Sequence, residues 1–218
     1  MNAPRPAAGL SPASPADRDD AAAFAGRVAR WDPMSPVRLR VDQALPDVVR
    51  MWGTTPFDTL VMRAVRGSVG PRDVTVYAGN LLSALAVSTA DTVDLGPAVD
   101  AAWRAQLPPP QGWIAVDEVP AAVLAELADQ GTEQARNNPG PAGGASTALL
   151  DSEVLTVAGN GMRVVIAMRV LFALSGMGFA PTVGEEPVRV RATDSWLRLD
   201  ARYGSVLRRR HSLIPLLF

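Results

Sequence analysis

The stretch VRVRATDSWLRLDARYGSVLRRR, Val188 to Arg210, decides how the fold is read. Val188–Ala192 and Trp196–Arg202 alternate apolar and polar residues, the period-two signature of half-buried strands, and Val206–Arg210 reads as a third. Asp194-Ser195 and Tyr203-Gly204-Ser205 supply the turns, so the three runs predict an antiparallel meander. Upstream, Val154–Val157 and Met162–Ala167 flank Gly159-Asn160-Gly161, a tight hairpin signal because such turns need residues that tolerate φ > 0. Between hairpin and meander, Met168–Ser175 is apolar nearly all round and stops at Gly176, which predicts a buried helix with Phe172 at the hydrophobic centre.

Further toward the N-terminus the spacing reads as helical. Val37–Val41 alternates as a strand, but Phe57, Leu60, Val61, Ala64 and Val65 fall on one helical face behind a Thr54 or Thr55 cap. Asp73 opens a second helix carrying Val74, Ala78, Leu81, Leu82 and Leu85, and Gly96-Pro97 a third carrying Val99, Ala102 and Trp103. Pro108-Pro109-Pro110 is a stiff spacer. Trp113–Val116 reads as a strand, Asp117 as the cap of a helix that buries Leu124 and Ala128, and Asn137–Thr147 as a loop. Residues 1–20 carry Pro4, Pro6, Pro12 and Pro15 among small residues and predict a disordered tail. The expected architecture is therefore α+β, with the tail followed by a single domain over 21–218. That domain has a helix-rich N-terminal part to about residue 140, a mainly antiparallel C-terminal sheet and one buried helix, with Val37–Val41 and Trp113–Val116 joining the later strands. No repeat of solenoid period is visible.

Composition removes much chemistry. All 21 basic residues are arginine, there is no cysteine, and His211 is the one histidine. That excludes Schiff-base lysines, phosphate-loop lysines, thiolate catalysis, disulfides and thiolate metal sites, and any histidine triad must run through His211. No cofactor and no metal site is expected. The net charge is −1, but ten acids face two arginines from Asp91 to Glu153, and seven arginines face three acids from Glu186 onward. The most apolar window, Val164–Ala180, is broken by Arg169 and is short for a span of about 20 apolar residues. Met1–Asp20 has no apolar run of the signal-peptide kind, and a cytoplasmic location is expected.

Catalytic patterns are thin. Gly159-Asn160-Gly161 lacks the third glycine of a dinucleotide fingerprint, and Gly176-Met177-Gly178 follows a helix instead of opening one. Asp117 and Glu118 point to opposite faces of a strand; Asp151 and Glu153 share a face if extended, but no third acid is near. His211 sits behind three arginines that disfavour its charged form, and Ser205 is not in a nucleophile elbow. The helix expected over Val74–Leu85 offers no arginine to a DNA groove.

One pattern carries a functional expectation. If each alternating strand buries its aliphatics, the outward side carries Arg38, Arg40, Arg189, Arg191, Arg198, Arg202, Arg208 and Arg210. On one sheet these would make a basic face suited to an acidic protein or an anionic ligand. The alternative reading is that arginine here solubilises outer strands.

Three phrases stand out together: GWIAVDEVP at Gly112–Pro120, LFALSGMGF at Leu171–Phe179 and GSVLRRR at Gly204–Arg210. They resemble a family of proteins in high-GC actinobacteria to which no activity is attached. The resemblance covers roughly residues 30–218 and implies an actinobacterial cytoplasmic protein. The functional expectation is a non-enzymatic binding protein that takes an acidic partner, an anionic ligand or a second copy of itself, with nucleic acid unlikely and no membrane. An enzyme with a carboxylate–arginine site beside Arg163 or Arg169 is the alternative, and a weak nucleic-acid-backbone binder is third.

Overall fold

The computed structural model of the chain describes residues 8–140, 144–181 and 186–210. The fold is α+β with antiparallel sheets, and the chain divides into two compact units. The first comprises Met1–Pro56 and Leu60–Gln106; the second comprises Phe57–Thr59 and Leu107–Phe218. A single domain was expected. The three prolines at 108–110, read only as a spacer, sit at the boundary.

The first unit begins with β1 (Ala8–Pro12) and α1 (Pro15–Trp31). It continues through β2 (Pro36–Val41), β3 (Val48–Thr54), β4 (Leu60–Gly70) and β5 (Asp73–Tyr77), then α2 (Ala78–Val87) and β6 (Val93–Gly96). Four strands pair antiparallel in the order β5–β2–β3–β4, and β1 pairs with both the far end of β4 and β6. The disordered tail is thus corrected over its described part. Ala8 and Leu10 are buried in a strand, and Ser14 caps α1 by accepting from the Asp17 N–H at 3.1 Å, with Pro15 in the first turn.

The helix-rich N-terminal part is also corrected: the region is strand-rich. The segment expected as a helix from Phe57 is the eleven-residue strand β4. Leu60, Val61 and Met62 are buried in succession, so period-two alternation is absent there and the apolar spacing mimics a helical face. Asp73–Tyr77 is a strand because Val74, Thr75 and Val76 are β-branched; the expected helix starts only at Ala78. The third helix reduces to one 3₁₀ turn at Asp100–Ala102. Val37–Val41 lies in β2, whose partners are β3 and β5. Phe24 and Val28 of α1 lie over Gly53 beside Val61, where the missing side chain lets helix and sheet approach. Arg18 ties α1 to the end of α2, donating to the Ser88 carbonyl at 2.6 Å, where unpaired helix carbonyls favour a cation.

The second unit contains β7 (Ile114–Pro120), α3 (Ala121–Asn137), α4 (Thr147–Leu150), β8 (Glu153–Gly159) and β9 (Met162–Ala167). It ends with α5 (Met168–Gly176), β10 (Pro187–Ala192), β11 (Trp196–Ala201) and β12 (Gly204–Arg209). The sheet runs β7–β10–β11–β12, antiparallel throughout, which bears out the meander and the pairing of Trp113–Val116 with it. β8 and β9 form the expected hairpin, with Asn160 at φ 49° and Gly161 at φ 76°. This hairpin guards the free edge of β7: Asn160 donates from Nδ2 to the Ala115 carbonyl at 2.8 Å, and Gly159 lies against the Val116 carbonyl. α5 is buried as expected, packed on α3 where Gly131 meets Met168 and Phe172. Phe172 itself is only half-buried, against Phe57 at 5.8 Å between ring centroids.

Candidate functional site

The expected basic face depends on strand parity, which the register settles. Arg191 stands opposite Arg198, and Arg189 opposite Asp200. Directly opposed residues share a face, so these four side chains lie together, while Val188, Val190, Ala192, Leu197 and Leu199 occupy the packed face and are buried. Asp200 is the centre of the arginine side. Its Oδ1 accepts from Arg198 Nε at 2.6 Å and from Ser205 Oγ at 2.5 Å, and its Oδ2 lies 3.5 Å from Arg191 Nε. The Trp113 ring supports the Arg198 guanidinium at 5.7 Å. Arg198 is therefore a fixed part of a network, with a side chain only 16% exposed.

Arg189 and Arg202 are different. Arg189 pairs with Glu118 across the β7–β10 register at 3.0 Å and is 62% exposed; Arg202 reaches Glu186 at 3.3 Å and is 56% exposed. The hydrogen bond to Glu186 raises the Arg202 pKa further above its ordinary value.

Four expected members do not join this set. Arg208 stands opposite Leu197 and so projects on the packed side, while Arg209, opposite Trp196, takes the outward place with its guanidinium 5.6 Å from that ring. The sequence misses this parity because Val206 and Leu207 are both buried and leave β12 without alternation. Arg210 is spent on backbone, donating to the Thr193 carbonyl at 2.8 Å and the Arg163 carbonyl at 3.0 Å. Arg38 and Arg40 stand on the sheet of the first unit and share Asp73. Arg38 forks onto both carboxylate oxygens at 2.7 Å, which raises its pKa against the opposing effect of burial; Arg40 lies at 3.6 Å.

A second constellation lies within the second unit, where a cleft of about 310 Å³ opens between the β8–β9 hairpin, α5 and β12. It brings Asp151, Glu153 and Arg163 together with Arg208. Arg169 is buried on α5 and draws Asp151 Oδ1 to 2.5 Å while donating to the Phe57 carbonyl at 3.0 Å. The sequence points to Arg163 or Arg169 beside an unspecified carboxylate, weighs Asp151 with Glu153 only as a cation pair and puts Arg208 on the outward face, so nothing local brings them together. The cleft holds two acids, and Asp151 is already bonded to arginine, so it offers no paired carboxylates for proton transfer. Among the described residues no group of three or more His, Cys, Asp or Glu could hold a metal. No described helix is long and apolar enough to cross a membrane. His211 lies outside the described residues.

Residues 5–105 match a domain of unknown function, DUF8010, and residues 108–213 match a second, DUF8185. The two matches meet where the two units divide. No curated protein sequence matches the chain. Solved sliding clamps share its fold. The DNA polymerase sliding clamp from Bacillus subtilis aligns with a TM-score of 0.61 at 14% identity, covering 96% of this chain and 66% of that one. The DNA polymerase sliding clamp from Caulobacter crescentus gives 0.59 at 14% identity, covering 96% and 67%. The DNA polymerase III subunit beta from Pseudomonas aeruginosa gives 0.57 at 14% identity, covering 91% and 65%. The chain spans about two thirds of the length of these clamps, between 65% and 67%. At such identity the likeness is one of fold.

Proposed function

We propose that the chain is a non-catalytic interaction protein on a sliding-clamp-like fold, and that it receives an acidic protein partner on the arginine-bearing side of β10 and β11. The observation that carries this reading is the co-facing set Arg189, Arg191 and Arg198, fixed by register and flanked by Arg202. The exposed pairs Arg189–Glu118 and Arg202–Glu186 are of the kind worth about 0–1 kcal/mol, so carboxylates of a partner can replace Glu118 and Glu186 at small loss. Asp200, held by Arg198 and Ser205, keeps the platform rigid while the outer arginines change partner.

Nucleic acid is the second reading. The fold is shared with DNA polymerase sliding clamps, so the sequence-based grounds for setting nucleic acid aside do not stand. Duplex binding needs cations facing phosphates. The exposed charges of α1 and α3 are Asp19, Glu126, Asp129 and Glu133 against Arg30 and Arg136, an acidic balance. A nucleic-acid surface on the second unit therefore falls to the same arginine side.

The test is quantitative affinity capture with the full chain and the R189E/R191E variant, at low and at physiological salt. The expected result is an acidic protein held in fixed stoichiometry by the parent, weakened by salt and lost from a folded variant. Retention of that partner by the variant overturns the assigned surface, and retention of duplex DNA in place of a protein decides for the second reading.

A further inference from the structure

The arginine cleft beside α5 belongs neither to the outward face nor to the network around Asp200, and its charges do not balance. Arg163, Arg208 and Arg210 line it against Asp151 and Glu153, an excess of one positive charge, while the Arg209 guanidinium is turned to Trp196 on the other side of β12. Asp151 does not make up the difference. It lies 2.5 Å from Arg169 NH2 but 3.4 Å from Arg208 NH2, so the deeper guanidinium takes most of it. Arg208 is left with a side chain 15% exposed and a buried Nε that has no hydrogen-bond partner. A buried donor without an acceptor forfeits the hydrogen bonds it made in water, which is why such groups are rare. Burial first, and then repulsion from Arg169, lower the Arg208 pKa, so an anion arriving there relieves an existing strain on the charge.

We infer that this cleft binds a small phosphate monoester, its phosphoryl group taken by Arg208 and Arg163 and its organic body laid on Val165, Val170 and Leu197. The phosphoryl group of a phosphate monoester brings negative charge and three acceptor oxygens, enough to answer the orphaned Arg208 Nε and the exposed Arg163 together. Arginine presents forked donors that suit phosphate oxygens. A volume of about 310 Å³ is far more than a bare phosphate fills and lies at the lower end of small-molecule sites. The rim is set before any ligand arrives: the two carbonyl bonds of Arg210 tie it to Thr193 and Arg163. The site uses residues separate from Arg189, Arg191 and Arg202, so it stands or falls independently of the interaction surface.

The probe is phenyl phosphate, titrated calorimetrically into the full chain at low salt and pH 7.5, with phenol, benzoate and inorganic phosphate as comparisons. Phenyl phosphate is expected to bind at least tenfold more tightly than any of the three, and to weaken as pH falls through about 6, where the phosphoryl group takes up its second proton. R163Q, on the exposed rim, and R208M, in the wall, are each expected to weaken it tenfold or more. Should R208M fail to fold, R163Q and the pH profile decide. Absence of binding, equal affinity for benzoate, or unchanged affinity in R163Q overturns the assignment. So does a duplex oligonucleotide that binds in an R163-dependent way while phenyl phosphate does not, since the cleft is then a contact to a nucleic-acid backbone.

Discussion

Both units contain the same step twice, a strand leading directly or within two residues into a helix: β1–α1 and β5–α2 in the first, β7–α3 and β9–α5 in the second. They encode it differently. In the second unit the strands are short, the β8–β9 pair is joined through Asn160-Gly161 and the β10–β11 pair through Thr193-Asp194-Ser195, and β10 and β11 present one face to the core and arginines on the other. In the first, β4 runs eleven residues with both sides of Leu60–Met62 covered, and β1 grows from a segment whose composition reads as disorder. Strand periodicity is written in sequence only where one face stays in water; cover both faces and the pattern turns continuous, open to a helical reading.

The strongest way to break that contrast is to remove core side chains from the unit whose fold was hardest to read. Phe24→Ala, at 1% exposure against Gly53, is expected to lower stability by about 3–5 kcal/mol in denaturant unfolding, and Leu10→Ala in β1 by about 2–5 kcal/mol. A loss below about 1 kcal/mol at Leu10 would return residues 8–12 to a tail. In the second unit the counterpart test is Gly159→Ala. A Cβ there meets the fixed Val116 carbonyl, and overpacking of this kind costs about 1–3 kcal/mol. An unchanged midpoint would show that the hairpin does not press on β7.

Asp42 adds a pH-dependent contrast confined to the first unit. Burial works to raise its pKa, but the Ala44 N–H, the Arg50 guanidinium and the Leu45 N–H together outweigh burial and hold the carboxyl below its ordinary value. A depressed folded pKa stabilises above the unfolded value of about 3.9, and that contribution is lost as pH falls through the lower folded value. Asp42→Asn is thus expected to cost about 1–3 kcal/mol at pH 7 and progressively less below about pH 4. A difference that stays constant down to pH 2.5 would contradict this. The smallest expected effect is Ser14→Ala, about 1 kcal/mol from the lost α1 cap, read as a shift in the thermal midpoint.

The legible part of the site follows the same rule. Arg189, Arg191 and Arg198 were placed on one face because Val188, Val190, Leu197 and Leu199 set the parity on either side of the turn. Arg208 and Arg210 were misplaced because β12 buries Val206 and Leu207 together. The cleft was out of reach for another reason. Asp151, Arg163, Arg169 and Arg208 come from different elements, and only the convergence of α5, β9 and β12 turns four scattered charges into one uneven cluster.

The central claim is that the chain works by receiving a partner on the arginine side of β10 and β11. Amide hydrogen exchange on the full chain, alone and with the captured partner, tests it most directly. The account predicts new protection centred on residues 187–202 with α1 and α3 unchanged. Protection confined to the helices, with 187–202 exchanging as in the free chain, would contradict it.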